Sequence, residues 1–452
     1  MCGIFGIRGT GDAARLTQTG LYSLQHRGQE SAGVAVIDGD RAHVARVMGT
    51  VSESLGRELV GATGNVAIGH TRYSTAGSST IENAQPIVVR SRGGCIALAH
   101  NGNLVNAIQV RTALEAEGSI FSTSADSEVI VHRLARSHAS SPAARMAEAL
   151  TGLEGAYSLV AVIGDTLIAA RDPRGWRPLV MGRVNGAVVF ASETCALDIV
   201  GAVAEREVGP GEIIAVDDSG VHVTQAIEPL PLKKCVFEYV YFARPDSRVF
   251  GGSVDRARRA LGRQLAREHP APNADLVFSV PDSSNSAALG FAEVSGLPYE
   301  LALIRNHYVG RTFIQPTQAG RDAKVKVKYN PVRELIEGRS VVMVDDSIVR
   351  GTTTRGLVRM IRGAGAREVH LRVSSPPITG PCYYGIDTPT RRELIAANLS
   401  QEDIAKQLGV DTLGYLSRDG MLSAVPNGPD GFCDACFSGV YPTEAPLDAR
   451  DR

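Results

Sequence analysis

The chain of 452 residues is long enough for two or more domains, each able to bury its own core. Its 47 Lys and Arg residues nearly balance its 48 Asp and Glu residues, so no overall basic field favours nucleic acid or an anionic membrane. No apolar run approaches the roughly 20 residues of a membrane-spanning helix, and no signal-peptide pattern opens the sequence. We therefore expect a cytoplasmic protein that binds neither nucleic acid nor membrane. Its seven cysteines are an odd number, which argues against a disulfide framework and towards catalysis or metal ligation.

The first predicted strand lies in the glycine-broken apolar run MCGIFGI, where Cys2 directly follows Met1. If Met1 is removed, Cys2 carries a free α-amino group with a reference pKa of about 7.7–8.0. One residue would then supply both a nucleophile and a base. The alternative is a small buried residue that begins a strand.

Four polar groups downstream suit the binding and cleavage of an amino-acid amide. Arg27 lies in a glycine-containing loop, and Arg72 follows a predicted strand over residues 65–69; an arginine can hold a carboxylate through two hydrogen bonds. Asn101 and Gly102 follow a predicted strand over 95–99 and offer the two donors that an oxyanion hole needs. Asp126 is an acid against which an α-ammonium group could dock.

Taken together and in this order, these residues resemble the class II glutamine amidotransferase domain. The resemblance covers about residues 2–230 and implies an N-terminal-nucleophile (Ntn) hydrolase, in which two antiparallel sheets are sandwiched between helices (αββα). It implies that Cys2 is the nucleophile and that Asn101 and Gly102 stabilise the oxyanion. It also implies that the α-groups of glutamine are held by Arg27, Arg72 and Asp126.

The composition changes at the Pro-Leu-Pro sequence of residues 229–231, where we place a domain boundary, so that a second domain covers residues 231–452. The apolar run over 233–242 predicts a connecting strand, and residues 255–268 predict a basic amphipathic helix.

Two strand-loop-helix units follow. The apolar strand predicted at 341–344 ends in Asp345 and Asp346, which can bind a sugar diol or a magnesium ion. The next residues offer hydroxyls and unobstructed N–H groups at the start of a helix predicted at 352–362, a combination that suits a phosphate; they are Ser347, Gly351, Thr352, Thr353 and Thr354. An earlier strand, predicted at 275–280, leads into a second anion loop that contains Ser283.

These loops resemble the signature of the type I phosphoribosyltransferases, which implies a doubly wound α/β domain that binds phosphoribosyl pyrophosphate (PRPP). The resemblance gives Ser283 to the magnesium shell and makes the basic segment 303–328 a lid, with Arg305, Arg311 and Lys328 facing pyrophosphate. A solvated basic loop is the alternative for that segment.

Four cysteines remain that could share a site: Cys235, Cys382, Cys433 and Cys436. Their spacing does not distinguish zinc from a redox pair or an iron–sulfur cluster. A subgroup of these amidotransferases that carries an iron–sulfur cluster has cysteines in the same four contexts, and this resemblance implies a structural 4Fe-4S cluster.

The two resemblances in one chain imply that ammonia released from glutamine displaces pyrophosphate from PRPP, giving 5-phosphoribosylamine for purine synthesis. Mg²⁺ is the implied cofactor at the PRPP centre, and the resemblance further implies a homotetramer that purine nucleotides inhibit. The alternatives are another class II amidotransferase, such as glucosamine-6-phosphate synthase or asparagine synthetase, and a PRPP-binding regulator without catalysis.

Overall fold

The computed structural model describes residues 1–39, 41–51, 53–73, 77–91, 94–306, 327–388 and 390–446. Within these ranges, no helix combines the length and the apolar character needed to cross a membrane. The first half of the described chain is built from antiparallel sheets, and the second half from a parallel sheet with helices on both faces.

Most central strands of the first half are apolar and buried, whereas the strands over residues 41–48, 203–207 and 220–225 are largely exposed. The described residues form a seven-stranded sheet in the order β11-β9-β10-β1-β4-β2-β3 and a six-stranded sheet in the order β13-β12-β8-β7-β6-β5. The strands are β1 (Gly3–Arg8), β2 (Ser31–Asp38), β3 (Arg41–Met48), β4 (Val66–Arg72), β5 (Ile87–Ser91), β6 (Gly94–Leu104), β7 (Gly155–Ile163), β8 (Thr166–Arg171), β9 (Val180–Val184), β10 (Ala187–Ala191), β11 (Val203–Glu207), β12 (Glu212–Asp217) and β13 (Gly220–Gln225).

The two sheets face each other across a core of aliphatic side chains and Phe190. A second core lies between the seven-stranded sheet and helices α1, α2 and α6, and a third between the six-stranded sheet and helices α3, α4 and α5. The layers therefore run helix, sheet, sheet, helix, which confirms the predicted αββα sandwich. The helices are α1 (Ala13–Ser23), α2 (Glu53–Glu58), α3 (Ala107–Ala116), α4 (Glu128–Arg136), α5 (Pro142–Leu150) and α6 (Thr194–Ile199).

The connection between the halves differs from its prediction. Residues 233–242 are not one strand: a two-residue strand, β14 (Lys234–Cys235), is followed by a π-helix, Glu238–Phe242. An apolar run of this length fits a buried helix as well as a strand, because periodicity does not separate the two. The chain then forms the small hairpin of β15 (Arg248–Val249) and β16 (Gly252–Ser253).

The second half contains the parallel sheet β17-β20-β21-β22, which confirms the predicted α/β fold. Helices α7 and α8 cover one face, and helices α10 and α12 cover the other. The elements are α7 (Val254–Glu268), β17 (Leu276–Ser279), α8 (Asn285–Ser295), β18 (Leu303–Arg305), β19 (Tyr329–Pro331), α9 (Arg333–Ile336), β20 (Ser340–Asp345), α10 (Thr352–Gly363), β21 (Glu368–Val373), α11 (Ile395–Asn398), α12 (Gln401–Leu408), β22 (Thr412–Tyr415), α13 (Arg418–Ala424), β23 (Phe432–Cys433) and α14 (Ala435–Ser438).

Strands β17 and β20 are parallel neighbours, with Ser279 opposite Val344. Their carboxyl ends therefore lie side by side, and the two predicted anion loops, which follow these strands, meet at one edge of the sheet. This edge is where ligands bind in open parallel sheets. The predicted domain limits, 2–230 and 231–452, stay a prediction.

Candidate functional site

Cys2 lies buried at the start of β1, beside the end of β4. The antiparallel register places Gly3 opposite Thr71, so Cys2 comes alongside Arg72 and Tyr73. The Cys2 thiol donates to the carbonyl oxygen of Tyr73 at 3.6 Å, and the Cys2 main-chain N–H donates to Asn101 Oδ1 at 3.2 Å. Both the thiol and the nitrogen of Cys2 are thus oriented by neighbouring strands.

The side-chain amide of Asn101 accepts a hydrogen bond from Cys2 and also carries a donor that is not used. Its side chain is fully buried, its Oδ1 accepts from Cys2, and its Nδ2 has no hydrogen-bond partner among the residues that the structure describes. A buried donor without a partner is costly unless a ligand satisfies it. The amide nitrogen is therefore available to an oxyanion that forms next to Cys2.

The position of Asn101 and Gly102 within their strand differs from the prediction. They lie inside β6 and not beyond its end, because pairing with β7 continues through both residues, opposite Ser158 and Tyr157. A Cβ atom on Gly102 would lie 2.0 Å from the carbonyl oxygen of Ala156. Glycine at this position therefore allows the backbone of β6 to approach β7 closely.

Arg72 and Asp126 flank the same centre. Arg72 is almost fully buried; its Nη1 donates to Glu30 and, at 3.0 Å, to the carbonyl of Ser78. Asp126 accepts from the main-chain N–H of Leu104 at 2.8 Å, three residues beyond Asn101. The structure thus brings an arginine and a carboxylate close to Cys2 and Asn101.

Arg27 has a different place from the one expected. Its side chain is fully buried, and Nε donates to the carbonyl oxygen of Cys2 at 2.9 Å. Both Nη atoms donate to the carboxylate of Glu238, at 2.7 and 3.0 Å, and Nη1 also donates to Glu193. All three nitrogens are engaged by groups of the protein, one of which is the backbone of Cys2. The expected role of Arg27 in holding glutamine stays a prediction.

Glu193 fixes the other side of Arg27. One carboxylate oxygen meets His26 Nε2 at 2.7 Å, and the other accepts from the N–H of Arg244 at 2.9 Å and the hydroxyl of Ser247 at 2.7 Å. Burial alone would raise the pKa of Glu193, but the charges and hydrogen bonds of His26 and Arg27 outweigh it and lower that pKa strongly. Glu193 is therefore a carboxylate that joins the loop of Arg27 to the start of the second half.

At the edge of the parallel sheet, Asp345 and Asp346 lie buried next to the loop that follows β17. Asp346 accepts from the hydroxyls of Ser283 and Ser347, each at 2.6 Å. Asp345 accepts from the N–H of Asp346 at 2.9 Å. Burial raises the pKa of both carboxyl groups, and for Asp345 repulsion by Asp346 raises it further. Such a pair is poised for a cation or a hydroxyl-rich ligand.

The candidate phosphate loop begins α10. Gly351 adopts φ +74°, and a Cβ there would lie 2.8 Å from Ile395 Cδ1. Thr352 and Thr353 are exposed, whereas the side chain of Thr354 is buried. The first N–H groups of a helix have no intrahelical acceptor, so Thr354 contributes its N–H and not its hydroxyl to this cradle.

The segment expected to form a lid is described only at its two ends. Strands β18 and β19 pair as an antiparallel ribbon, Arg305 opposite Tyr329. Arg305 Nη1 donates to Asp282 at 2.5 Å, which joins the ribbon to the loop that contains Ser283. Lys328 Nζ lies 5.0 Å from the centre of the Tyr329 ring. Arg311 lies outside the described residues.

The four cysteines that the sequence suggests as one site lie in one region of the structure. Cys235 and Cys433 lie opposite each other in the parallel pair of β14 and β23. Burial raises the pKa of Cys235 to about 11 and those of Cys433 and Cys436 well above the ordinary value, and negative charge on the neighbouring cysteines raises them further. Cys382 is among those neighbours in each case, so the four thiols occupy one region.

Main-chain N–H groups and one buried cation surround these thiols. The N–H of Tyr384 donates to Cys382 Sγ at 3.4 Å, and hydrogen bonds from the backbone of Phe237 and Ala435 lower the pKa values of Cys235 and Cys433. The fully buried Arg177 donates to the carbonyl of Tyr384 through Nε at 3.0 Å. Burial alone would lower the pKa of Arg177, but the cysteine charges act against it, and the net shift is upward. These donors and Arg177 favour ionised thiols, but burial outweighs them, and the pKa values of Cys235, Cys433 and Cys436 stay raised.

Known proteins match the chain over nearly its whole length. A family model described as a glutamine amidotransferase domain matches residues 70–198. The amidophosphoribosyltransferase of Bacillus subtilis (strain 168) is 50% identical over 449 residues, which cover 98% of this chain and 94% of the relative. A chloroplastic amidophosphoribosyltransferase 2 of Arabidopsis thaliana is 50% identical over 455 residues, which cover 100% of this chain and 81% of the relative.

Two solved structures agree with these relatives. One, described as glutamine PRPP amidotransferase from B. subtilis complexed with ADP and GMP, has a TM-score of 0.93 at 49% identity and covers 99% of this chain and 98% of its own. The other, described as the allosteric regulatory enzyme of purine biosynthesis, has a TM-score of 0.94 at 49% identity, with coverages of 99% and 97%. The chain belongs to the amidophosphoribosyltransferase family.

The protein is therefore an enzyme that aminates PRPP at the expense of glutamine in purine biosynthesis. Amidophosphoribosyltransferase activity requires an amide-cleaving centre and a PRPP centre, and the two clusters described above are the candidates for them. The alternatives of a different class II amidotransferase and of a regulator without catalysis are set aside by the near full-length match to amidophosphoribosyltransferases.

The loop that carries Cys382 also reaches the amide-cleaving centre of this amidophosphoribosyltransferase fold. The carbonyl of Tyr383 accepts from Asn103 Nδ2 at 2.9 Å, and a Cβ on Gly385 would lie 3.0 Å from the main chain of Gly102. The ring of Tyr384 stacks on Trp176 at 3.9 Å. The cysteine region is thus in direct contact with the strand that carries Asn101.

The sequence did not point to three of the buried charged residues near Cys2 and the cysteine region, which are Glu193, Glu238 and Arg177. Glu238 is 211 residues from Arg27, so no local spacing links them. One signal was present, because Glu238 is the single charged residue in the apolar sequence Val-Phe-Glu-Tyr-Val-Tyr-Phe. A carboxylate in such a run is rarely buried without a partner. The run therefore indicates that Glu238 pairs with a buried cation.

Proposed function

We propose that Cys2 is the nucleophile of glutamine hydrolysis and that Asn101 stabilises the tetrahedral oxyanion. The observation that supports this assignment is the double role of the Asn101 amide: its Oδ1 accepts from the Cys2 nitrogen, while its buried Nδ2 has no partner within the described ranges. One side chain therefore orients the attacking residue and offers a donor for the charge that develops on the substrate.

The chemistry proceeds in two steps at this centre. The Cys2 sulfur attacks the carboxamide carbon of glutamine, and the collapse of the tetrahedral adduct forms a thioester and releases ammonia. Water then attacks the thioester, and glutamate leaves with the thiol restored. Removal of Met1 would convert the Cys2 nitrogen into an amine that accepts the thiol proton, so we propose that Met1 is removed in the active enzyme.

Arg72 and Asp126 are proposed as the groups that hold the α-carboxylate and the α-ammonium of glutamine. Their support is the register that places Arg72 alongside Cys2, the hydrogen bond from Leu104 of β6 to Asp126, and their opposite charges. Arg27 is proposed as a positioning residue, because its Nε holds the carbonyl of Cys2. Gly102 is proposed as the second oxyanion donor through its N–H.

At the other centre, ammonia attacks C1 of PRPP and displaces pyrophosphate, and a proton leaves the new amine. We propose that Asp345 and Asp346 bind the ribose hydroxyls and that Ser347, Gly351, Thr352, Thr353 and Thr354 cradle the 5-phosphate. Asp345, Asp346 and Ser283 form the oxygen-rich donor set that Mg²⁺ prefers, and Mg²⁺ when bound there would neutralise charge on the leaving pyrophosphate. Arg311 and Lys328 stay proposals as cations of a lid.

For the cysteines Cys235, Cys382, Cys433 and Cys436 we propose a 4Fe-4S cluster. Backbone N–H groups directed at the sulfurs, together with a buried arginine, are the surroundings that thiolate ligands of such clusters have. A single zinc ion would need four sulfurs at about 2.3 Å from one point. Within the described chain, no group of His, Cys, Asp or Glu is that compact. A cluster binds each sulfur to a different iron and so tolerates wider spacing.

Several broader features also belong to the proposal. We propose a cytoplasmic homotetramer with a first domain over residues 2–230 and a second over residues 231–452. Inhibition by purine nucleotides is proposed as well, because the B. subtilis relative was solved with ADP and GMP.

The proposed division of labour is tested by measuring phosphoribosylamine formation from glutamine and from added ammonia in the Cys2→Ala variant. We expect loss of the first and retention of the second. Retention of glutamine-dependent synthesis, or equal loss of both, would overturn the assignment of Cys2.

A further inference from the structure

A single buried asparagine joins the two segments of chain that carry Arg72 and Asp126. Asn83 ends a single turn of 3₁₀-helix and is 2% exposed. Its Nδ2 donates to the carbonyl of Ser78 at 2.8 Å and to the hydroxyl of Ser124 at 2.9 Å, and its Oδ1 accepts from the N–H of Ser124 at 3.0 Å. A side-chain amide can donate and accept at once, and Asn83 uses both abilities to bridge Ser78 and Ser124.

On one side of this bridge, Ser78 contacts Arg72. The carbonyl of Ser78 accepts from Nη1 of Arg72 at 3.0 Å, and the same carbonyl accepts from Asn83. Arg72 Nη1 also donates to Glu30. The direction in which the Arg72 guanidinium faces therefore depends on the place of the Ser78 carbonyl, which Asn83 holds.

On the other side, Ser124 lies two residues before Asp126. The hydroxyl of Ser124 accepts from the N–H of Ser78 at 3.3 Å, in addition to its bonds with Asn83. The approach is close, because Gly77 has φ +78° and a Cβ atom there would lie 2.9 Å from Ser124 Oγ. A shift of Ser124 would pass through two peptide units to Asp126, so the contacts of Asn83 also affect where this carboxylate lies.

An amino acid carries its α-carboxylate and α-ammonium on one carbon, so the groups that bind them must keep their separation to within about 0.5 Å. We propose that Asn83 is a positioning residue that sets the separation of Arg72 and Asp126 and thereby the affinity for the α-groups of glutamine. Asn83 acts only through Ser78 and Ser124, which it holds. This inference rests on the proposed roles of Arg72 and Asp126 in binding glutamine.

The first test is the steady-state kinetics of Asn83→Ala with glutamine and with added ammonia. Loss of the bridge should weaken the binding of glutamine equally in the ground state and in the transition state, which raises KM and leaves kcat unchanged. We expect KM for glutamine to rise about tenfold, as for the loss of one or two hydrogen bonds. The ammonia-dependent rate should be normal.

Two alkylating agents separate an effect on the α-groups from general damage near Cys2. Diazo-oxo-norleucine is a glutamine analogue that carries both α-groups, whereas iodoacetamide carries neither. Modification of Cys2 is followed by mass spectrometry of the N-terminal peptide. In Asn83→Ala, the rate with the glutamine analogue should fall about tenfold, while the rate with iodoacetamide should stay within about twofold.

Two further variants protect these tests. Ser124→Ala removes only an exposed hydroxyl from the bridge; its KM for glutamine should rise about threefold, and it decides the matter if Asn83→Ala does not fold. Asn106→Ala is the matched control, because Nδ2 of Asn106 donates to the carbonyl of Gly152 at 2.9 Å and its Oδ1 accepts from the N–H of Glu154 at 3.0 Å. It breaks a similar bridge in the same sandwich, and its KM for glutamine should be normal.

Asp126→Asn is the reference for the glutamine site and should lose reactivity towards the glutamine analogue at least as strongly as Asn83→Ala. If it does so while Asn83→Ala and Ser124→Ala keep a normal KM, the positioning role is overturned and the glutamine site stands. An equal fall of both alkylation rates in Asn83→Ala would also overturn the positioning role. If Asp126→Asn reacts normally with the glutamine analogue, the assignment of Asp126 fails, and the inference fails with it.

Discussion

The carboxamide of Asn101 accepts a hydrogen bond from the main-chain nitrogen of Cys2 at 3.2 Å, and its own nitrogen is buried with no partner in the described part of the chain. Residues 99 positions apart in the chain are thereby joined in the proposed catalytic unit. Cys2 directly precedes β1 of the seven-stranded sheet and Asn101 lies in β6 of the six-stranded sheet, so the packing of the two sheets sets this distance.

Replacement of Asn101 by Asp separates its two functions. The carboxylate still accepts from the Cys2 nitrogen, but it offers no donor and places negative charge where the oxyanion forms. We expect kcat for glutamine hydrolysis to fall by about 10²–10³-fold, the usual cost of an oxyanion donor. The rate with added ammonia is the internal control and should be unchanged. A glutaminase rate within a few-fold of normal would count against the oxyanion role.

The glutamine-binding role of Arg72 predicts a selective effect on substrate affinity. Arg72→Lys removes the paired donors that fit a carboxylate, and kcat/KM for glutamine should fall about 30-fold or more, equivalent to about 2 kcal/mol. Steady-state kinetics with glutamine and with ammonia would measure this. Arg90→Met, at an exposed arginine of β5, is the matched control and should behave normally. An unchanged KM for glutamine in Arg72→Lys would contradict the assignment.

The acidic pair predicts a pH dependence of PRPP binding. Burial raises the pKa of both Asp345 and Asp346, and mutual repulsion adds to the rise at Asp345. Because the ionised pair binds magnesium and ribose, affinity for Mg-PRPP is complete above the raised pKa and is lost as the pH falls through it. Titration calorimetry between about pH 5 and 8 should show up to tenfold weaker binding per pH unit on the acid side.

Asp346→Asn refines the same test. Without the repulsion of Asp346, the pKa of Asp345 falls, so the loss of binding should move to lower pH even though binding is weaker throughout. A midpoint that stays in place would show that another group titrates. Asp345→Asn should stop PRPP turnover with both nitrogen sources, and full activity in that variant would rule out the proposed PRPP centre.

The proposed cluster predicts a metal content. Enzyme purified without oxygen should contain about four iron atoms and four acid-labile sulfides per chain, and Cys436→Ser should lose both. Cys95→Ser, which alters a core cysteine of the first half, is the matched control and should retain iron. Stoichiometric zinc without iron would refute the cluster. Because Cys235 and Cys433 join β14 to β23, loss of the metal should also lower the melting temperature.

Much of the fold follows from local pattern. The apolar run before Asp345 predicted a strand of a parallel sheet, and β20 is that strand; the helices predicted at 255–268 and 352–362 match α7 and α10 to within one residue. Such segments are long or clearly bounded, and burial on both faces gives the strand uniform apolar character. The wrong prediction at 233–242 has a related cause. In a short run that is apolar throughout, the hydrophobic pattern shows no period, so a strand and a buried helix cannot be told apart.

The site was less predictable than the fold. Cys2, Asn101 and the acidic pair could be proposed from the sequence because the chemistry expected of them depends on residue type and close spacing. The place of Arg27 could not, since its partners Glu193 and Glu238 lie 166 and 211 residues away. An arginine in a loop has the same sequence signature whether it binds a substrate or a buried carboxylate. Which of the two it contacts depends on how the two halves of the chain pack.

The most direct test of the two-centre mechanism is the ratio of glutamine-dependent to ammonia-dependent phosphoribosylamine synthesis in Cys2→Ala, with intact mass confirming the N-terminus of the unmodified enzyme. The mechanism predicts a chain that begins at Cys2, a ratio near zero in the variant, and an ammonia-dependent rate close to normal. A variant that still uses glutamine, or that loses both activities equally, would contradict it.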